Sequence, residues 1–285
     1  MSGFQLQSAV EQGRTREVPE RVNGFETDVI EAIYEPEPHW WNGYARNERA
    51  GRRDPLVGGI SISNSNRNTY ATLGGLVLDN TTGSPMLLSN WHVLVGDWRY
   101  RRGQPIYQPG RGDGGTYRDT VATLARDAMH ANLDAAVARL NGTRHLVNEQ
   151  LGIGPVKGVL NIRMGLNVYK SGRASNVTYG MVSGVEGIQP IQLAGLTRII
   201  RHVASIEPLP GFRTVSLPGD SGAWWLDRSG MRAAGLHFAG SRDGTRALAM
   251  NMPDVLEALE VAIPVHAPVR MQTPTLWAIR QPQFA

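Results

Sequence analysis

The sequence predicts an all-β protein with one helix near its C-terminal end, on three observations. Its 285 residues include 33 glycines and 17 prolines with only 19% charged residues, a composition that suits many short strands joined by turns better than a helical bundle. From "LVGGISIS" onward, β-type segments recur with Gly, Asn, Asp or Pro between them, the rhythm of a β-sandwich or β-barrel system. Only "MPDVLEALEVAI" carries a helical pattern, with Pro253 suited to its first turn and Leu256, Leu259 and Ile263 on one side.

Taken in order, the chain begins with a polar stretch to about residue 55 that holds "DVIEAIY", the alternating Glu35, Pro36, Glu37, Pro38 and the bulky "HWWNGY". It reads as a lead-in arm with a single strand or a helical turn or two, too poor in periodic apolar residues to be a domain of its own. The strand-like runs follow: "YATLGGLVLDNTTG", "PMLLSNWHVLV", "DTVATLA", "LDAAVARLNG", "LNVYKSG", "VTYGMVSGV", "RIIRHVASIE", "GAWWL" and "MRAAGLHFAG". Beyond the helix lies a Pro-broken tail with Trp277 and Ile279.

Composition removes several function classes. The absence of cysteine excludes disulfides, thiolate chemistry and cysteine-ligated metal. The net charge of +4 is carried almost wholly by arginines scattered among acids, Lys157 and Lys170 being the two lysines. The short cluster "RYRRG" therefore reads as solvated surface, and no nucleic-acid partner is expected. No apolar run has the length of a signal peptide or a membrane span, so the expected location is the cytoplasm, away from membranes.

The segment "SLPGDSGAWW", Ser216 to Trp225, is either a tight turn entering a strand or a nucleophile loop around Ser221. A serine hydroxyl is a weak nucleophile until a base takes its proton, and the base works best when a third group fixes its tautomer. His92 in "LLSNWHVLV" and Asp134 in "ANLDAAVARL" are the candidates. Taken alone, His92 reads as a packed histidine at a strand end, and Asp134 as a turn residue or as a buried acid that needs a partner. Asp113, in the Arg-Gly-Asp triplet, and Asp119 read as turn residues in or near Gly-rich loops.

The three candidates occur in the order His, Asp, Ser, and "NWHVL", "NLDAAVARL" and "PGDSG" together resemble the three catalytic boxes of the trypsin-like serine proteases. The likeness spans about residues 67–263 and is nearest to a subgroup of bacterial proteins and plant narrow-leaf proteins. Its further marks are "RRDPLVGGISIS", "QPGRGDGG" and "YKSGRASNVTYGMVSG". Trp91 departs from the subgroup, whose members usually have a second Asn there, and should alter packing beside the histidine without removing it.

The resemblance implies a chymotrypsin-like double β-barrel. Its parts would be an arm at 1–66, barrel one at about 67–142, barrel two at about 155–252, a helix at about 254–262 and a tail at 264–285. It also implies His92 as general base and then acid, Asp134 as its orienting group and Ser221 as nucleophile. The backbone N–H groups of Gly219 and Ser221 would form the oxyanion hole, Asp220 would shape the loop, and no metal or organic cofactor is needed.

The residue six before the nucleophile, at the floor of the primary pocket in this family, is Val215, an apolar floor that disfavours Arg or Lys. Ser216 and the Gly-x-His-x-x-Gly pattern around His237 resemble glutamyl endopeptidases and picornaviral proteases. Cleavage after Glu or Gln is the implied preference, weakening as pH rises where a charged His237 binds Glu; the open alternative is a hydrogen-bonded core histidine. The expected partner is a protein or peptide substrate. The alternatives are a scaffold that kept the fold without turnover, and a gated protease whose arm or tail fills the cleft. Arm and tail, with Trp277, are also candidate contacts between copies of the chain.

Overall fold

Turn chemistry sets the hairpins. Between Gly75–Asp79 and Pro85–Ser89, Asp79 Oδ1 accepts the N–H groups of Thr81 and Thr82 at 3.1 and 2.7 Å, and Gly83 supplies a left-handed residue with φ 67°. These hydrogen bonds from Thr82, with Arg126 beyond them, hold the Asp79 carboxyl well below the usual carboxylate range.

The computed structural model describes residues 21–22, 25–26, 34–36, 39–40, 48–99 and 102–264. In chain order the strands begin with β1 (Arg21–Val22), β2 (Phe25–Glu26), β3 (Tyr34–Pro36) and β4 (His39–Trp40). Next come β5 (Leu56–Gly58), β6 (Ser61–Asn64), β7 (Thr69–Thr72), β8 (Gly75–Asp79) and β9 (Pro85–Ser89), then the single turn of helix α1 (Trp91–Leu94). β10 (Pro105–Tyr107), β11 (Thr120–Asp127) and β12 (Ala136–Leu140) complete the first half, followed by β13 (Leu146–Gln150) and β14 (Gly154–Pro155). The second half comprises β15 (Asn167–Gly172), β16 (Asn176–Leu193), β17 (Leu196–Pro208), β18 (Trp224–Asp227), β19 (Ala233–Ser241) and β20 (Ala247–Asn251). Helix α2 (Met252–Ala258) and β21 (Val261–Ala262) end the described chain.

The first large sheet runs β21-β8-β9-β12-β11-β10-β6-β7-β4. The second runs β18-β15-β16-β17-β20-β19, closes on itself through β18 against β19, and carries β3 on its edge. The two Trp residues of "GAWWL" divide between the barrels because successive side chains of a strand point to opposite faces. Trp225 packs with Val168, Ile206 and Val215 inside barrel two. Trp224 joins the larger cluster with Leu88 and Val137 of barrel one, lying so close to Gly75 that a Cβ there would meet its ring at 2.7 Å.

Three sequence-based boundaries shift. Barrel one starts before residue 67, since β6 already pairs in the first large sheet while β5 pairs in the small sheet β14-β13-β5, with Leu56, Ile60 and Ile62 completely buried. Each strand is only three or four residues long, so neither displays a period that marks it in sequence. "PMLLSNWHVLV" is not one strand: it ends at Ser89, and Asn90 opens the turn of α1. The late helix covers Met252–Ala258 rather than 254–262, because Glu260 turns left-handed at φ 52° and Val261–Ala262 pairs with β8. The expected tail from 265, with Trp277, and the run "DVIEAI" lie outside the described residues. No helix among the described residues is long and apolar enough to cross a membrane.

Candidate active site

The polar interruption Ser89–Asn90 inside an apolar segment ends β9 and starts α1, which carries His92. Opposite it, Asp134 lies two residues before the start of β12 and is fixed through its backbone. Its carbonyl accepts Asn90 Nδ2 at 2.8 Å, and its N–H donates to Met250 Sδ at 3.1 Å. Both Asp134 oxygens then hold the histidine: Oδ2 lies 2.5 Å from His92 Nδ1, and Oδ1 accepts the His92 backbone N–H at 3.0 Å. Asp134 is completely buried and His92 nearly so, so this hydrogen-bonded pair answers the desolvation cost the isolated acid would face. The other ring nitrogen, His92 Nε2, has no hydrogen-bond partner among the described residues. Trp91 packs against Trp98, ring centroids 4.2 Å apart and planes tilted by 34°.

Ser221 comes from barrel two, on the loop before β18. Its hydroxyl donates to the Phe238 carbonyl at 3.3 Å and is completely buried. Thr72, from β7 of barrel one, ties the loop down twice: its N–H donates to the Ser221 carbonyl and its Oγ1 to the Gly219 carbonyl, both at 2.8 Å. The turn demands glycine on either side of Asp220 and Ser221. Gly219 has φ 108° and Gly222 φ 95°, and a Cβ on Gly222 would fall 2.2 Å from the Thr72 carbonyl oxygen.

The sequence reading missed what holds Asp220. Oδ2 receives Lys170 Nζ at 2.6 Å, the Leu217 N–H at 3.0 Å and Ser175 Oγ at 2.5 Å, while Oδ1 receives the N–H groups of Ala174 and Ser175 at 3.0 Å. Both ends of the ion pair are completely buried. Burial alone would push the Asp220 carboxyl up, but the charge and hydrogen bond of Lys170, with Ser175, outweigh it and leave the group below its ordinary range. The available signal was a lysine, one of two in the chain, set within a strand pattern.

Asp113 is likewise more than a turn residue. It forms a buried two-point ion pair with Arg173, Nε to Oδ2 at 2.8 Å and Nη2 to Oδ1 at 2.6 Å, and that guanidinium covers the Tyr70 ring at 4.0 Å. The Arg-Gly-Asp letters therefore serve the fold, since Arg111 also donates to the Ser65 carbonyl at 3.0 Å. Asp119 caps its own turn by accepting from Thr116 N and Oγ1 at 2.9 Å.

Of the expected pocket residues, Val215 is a core group of barrel two, its backbone bonded to Gly244 and Thr178. Ser216 and His237 are completely buried. His237 presents its ring edge-on to Trp225 with centroids 6.0 Å apart, and its backbone brackets the Ser221 loop, accepting from Gly222 and donating to Ala223.

No family model matches the chain, and no curated protein does. Solved structures do. Cellulomonas bogoriensis chymotrypsin aligns with TM-score 0.54 at 18% identity, covering 74% of this chain and 99% of that one. The protein has the chymotrypsin fold. Thermobifida fusca protease A aligns with TM-score 0.54 at 15% identity over 73% of this chain and 97% of its own. A glutamic acid-specific serine protease that uses a histidine triad in substrate binding aligns with TM-score 0.53 at 16% identity, over 73% of this chain and all of its own. These chymotrypsin-fold neighbours are serine proteases.

Proposed function

We propose that the protein is a serine endopeptidase with Ser221 as nucleophile, His92 as general base and acid, and Asp134 as the group that orients His92. The observation that carries the reading is the two-point hold of Asp134 on His92, at 2.5 Å to Nδ1 and 3.0 Å to the backbone N–H. A proton kept on Nδ1 leaves Nε2 with the lone pair that a base requires.

In this mechanism the Ser221 hydroxyl rotates from the Phe238 carbonyl to Nε2, gives up its proton and attacks the substrate carbonyl carbon. The oxyanion is met by the N–H groups of Gly219 and Ser221. His92 returns the proton to the leaving amine, and water repeats the sequence to free the acyl group. Pocket chemistry favours Glu or Gln before the cut bond. Ser216 and His237 are the hydrogen-bonding side chains there, and a structural neighbour is glutamic acid-specific.

The test is a fluorophosphonate probe incubated to completion with the full chain and mapped by mass spectrometry. Label on Ser221 that disappears in Ser221→Ala and slows at least about 10³-fold in His92→Ala is expected. A folded protein whose Ser221 takes no label overturns the reading.

A further inference from the structure

The β16–β17 hairpin runs beyond its barrel. β15 pairs with β16 only up to Met181, and β20 takes the outer edge of β17 only from Val203 onward. Between these limits and the turn, the two strands pair only with each other among the described residues, from Ile188 opposite Arg201 to Leu193 opposite Leu196. One face of this extension is seated. Ile191, Leu193 and Ile200 are buried in the cluster that also holds Trp91, the Leu193 carbonyl accepts Trp98 Nε1 at 3.3 Å, and the Arg198 guanidinium lies 4.5 Å from the centre of the Trp98 ring. The other face is in solvent: Ile188, Pro190, Gln192, Thr197, Ile199 and Arg201 are all exposed, Ile188 by 58% and Ile199 by 45%.

The turn decides which backbone groups point outward. Ala194 and Gly195 are both left-handed, at φ 47° and 81°, the form of a two-residue hairpin turn whose flanking residues, Leu193 and Leu196, exchange both of their hydrogen bonds. Counting back from that pair, Ile191 with Arg198 and Gln189 with Ile200 are the next hydrogen-bonded pairs. Thr197, Ile199 and Arg201 therefore turn their N–H and C=O groups away from β16. On the opposite edge Gln192, Pro190 and Ile188 do the same, but Pro190 has no N–H to offer. The edge of β16 is blocked at its centre, and that of β17 is an open ladder.

The open ladder has a charge and a pattern. Residues 196–203 hold Arg198, Arg201 and His202 and no acid. Glu186 answers His202 at 2.6 Å, whereas no carboxylate among the described residues pairs with either arginine. Arg198-Ile199-Ile200-Arg201 reads the same in both directions. A strand of either polarity that carries acid, apolar, apolar, acid meets each arginine with a carboxylate and each isoleucine with an apolar side chain. A second copy of the same edge would instead bring four arginines into one ladder.

We propose that the outer edge of β17, residues 197–201, is a docking site for an extended peptide segment of acid-apolar-apolar-acid pattern, which adds to the hairpin as a third strand. Main-chain hydrogen bonds to Thr197, Ile199 and Arg201 supply the affinity, and the two arginines select the partner. The hairpin is already seated on Trp98, so the added strand meets a surface ordered in advance. The site does not rest on the endopeptidase reading.

The experiment uses the full chain with Ser221→Ala, which removes turnover from the measurement, and a capped fluorescent peptide Thr-Glu-Val-Val-Glu-Thr beside Thr-Lys-Val-Val-Lys-Thr. Fluorescence anisotropy is expected to show the acidic peptide binding at least about 10-fold more tightly, with the difference shrinking as salt is raised. Amide exchange is expected to be fast at Thr197, Ile199 and Arg201 in the free protein and slowed by the acidic peptide. Arg198→Glu with Arg201→Glu is expected to reverse the preference. Ile199→Pro removes an outward donor without taking a hydrogen bond from the hairpin and is expected to abolish binding, while Ile199→Val keeps it. Absence of binding, equal binding of the two peptides, a preference unchanged by the charge reversal, or binding that survives Ile199→Pro overturns the inference. Slow exchange at the three amides before any peptide is added also overturns it. Such protection means an edge taken by another segment of the chain or, where it rises with protein concentration, by a second copy.

Discussion

Replacing Lys170 with Met isolates what the buried cation does for the nucleophile loop. Lys170 Nζ sits 2.6 Å from Asp220 Oδ2 with both side chains fully buried. The substitution keeps the volume of the stem and leaves the carboxylate with its N–H and Ser175 hydroxyl donors but without its ion-pair partner. Losing one partner of a buried pair costs about 3–5 kcal/mol. For a domain of this size each kcal/mol is worth about 2–4 °C, so the melting temperature at neutral pH should fall by about 6–20 °C.

The pH dependence carries the sign. Asp220 is depressed in the folded protein, so its contribution is present above the unfolded carboxylate value of about 3.9 and is lost as pH falls through the lower folded value. Without Lys170 the burial that raises Asp220 is less opposed, and the acid loss should begin at higher pH. Thermal melts by circular dichroism between pH 3 and 8 read both effects. Adding Asp220→Asn removes the stranded charge and should recover part of the loss. A Lys170→Met protein melting within about 2 °C of the unaltered chain, with no shift of its acid limb, would refute the reasoning.

Two further outcomes follow from the site geometry. Asp134→Asn keeps the shape but offers His92 Nδ1 an amide. Fluorophosphonate labelling of Ser221, measured under conditions where the unaltered chain labels, should slow by about 10⁴-fold with the fold retained by circular dichroism. Thr72→Val removes the hydroxyl that donates to the Gly219 carbonyl and accepts the Arg173 N–H. It should cost about 1–3 kcal/mol in chemical denaturation, and Thr72→Ser should restore most of it.

The letters around His92, Asp134 and Ser221 were legible because each is a local pattern: a polar break in an apolar run, an acid entering a strand, a turn rich in glycine. The pairing partners were not. Lys170 reaches Asp220 across 50 positions and Thr72 reaches Gly219 across 147, and hydrophobic period carries no information about such contacts. The arm shows the same limit. "YEPEPHW" is polar and Pro-broken, which suits a lead-in segment, and nothing in its letters marks that Tyr34–Pro36 pairs with β19 and His39–Trp40 with β7. Strand ends failed for a related reason: a four-residue turn of helix at Trp91–Leu94 and a single left-handed Glu260 are short local events inside apolar stretches.

The residues that fasten the barrels together are also those that fix the Ser221 loop. Thr72 of barrel one holds the carbonyls of both Gly219 and Ser221. Trp224, three residues beyond Ser221, fills the space left by Gly74 and Gly75, where a Cβ would meet its indole at 2.3 and 2.7 Å. The proposed site needs both barrels, because His92 and Asp134 stand on one and Ser221 on the other. β3 adds to the second barrel at β19, and β4 adds to the first at β7.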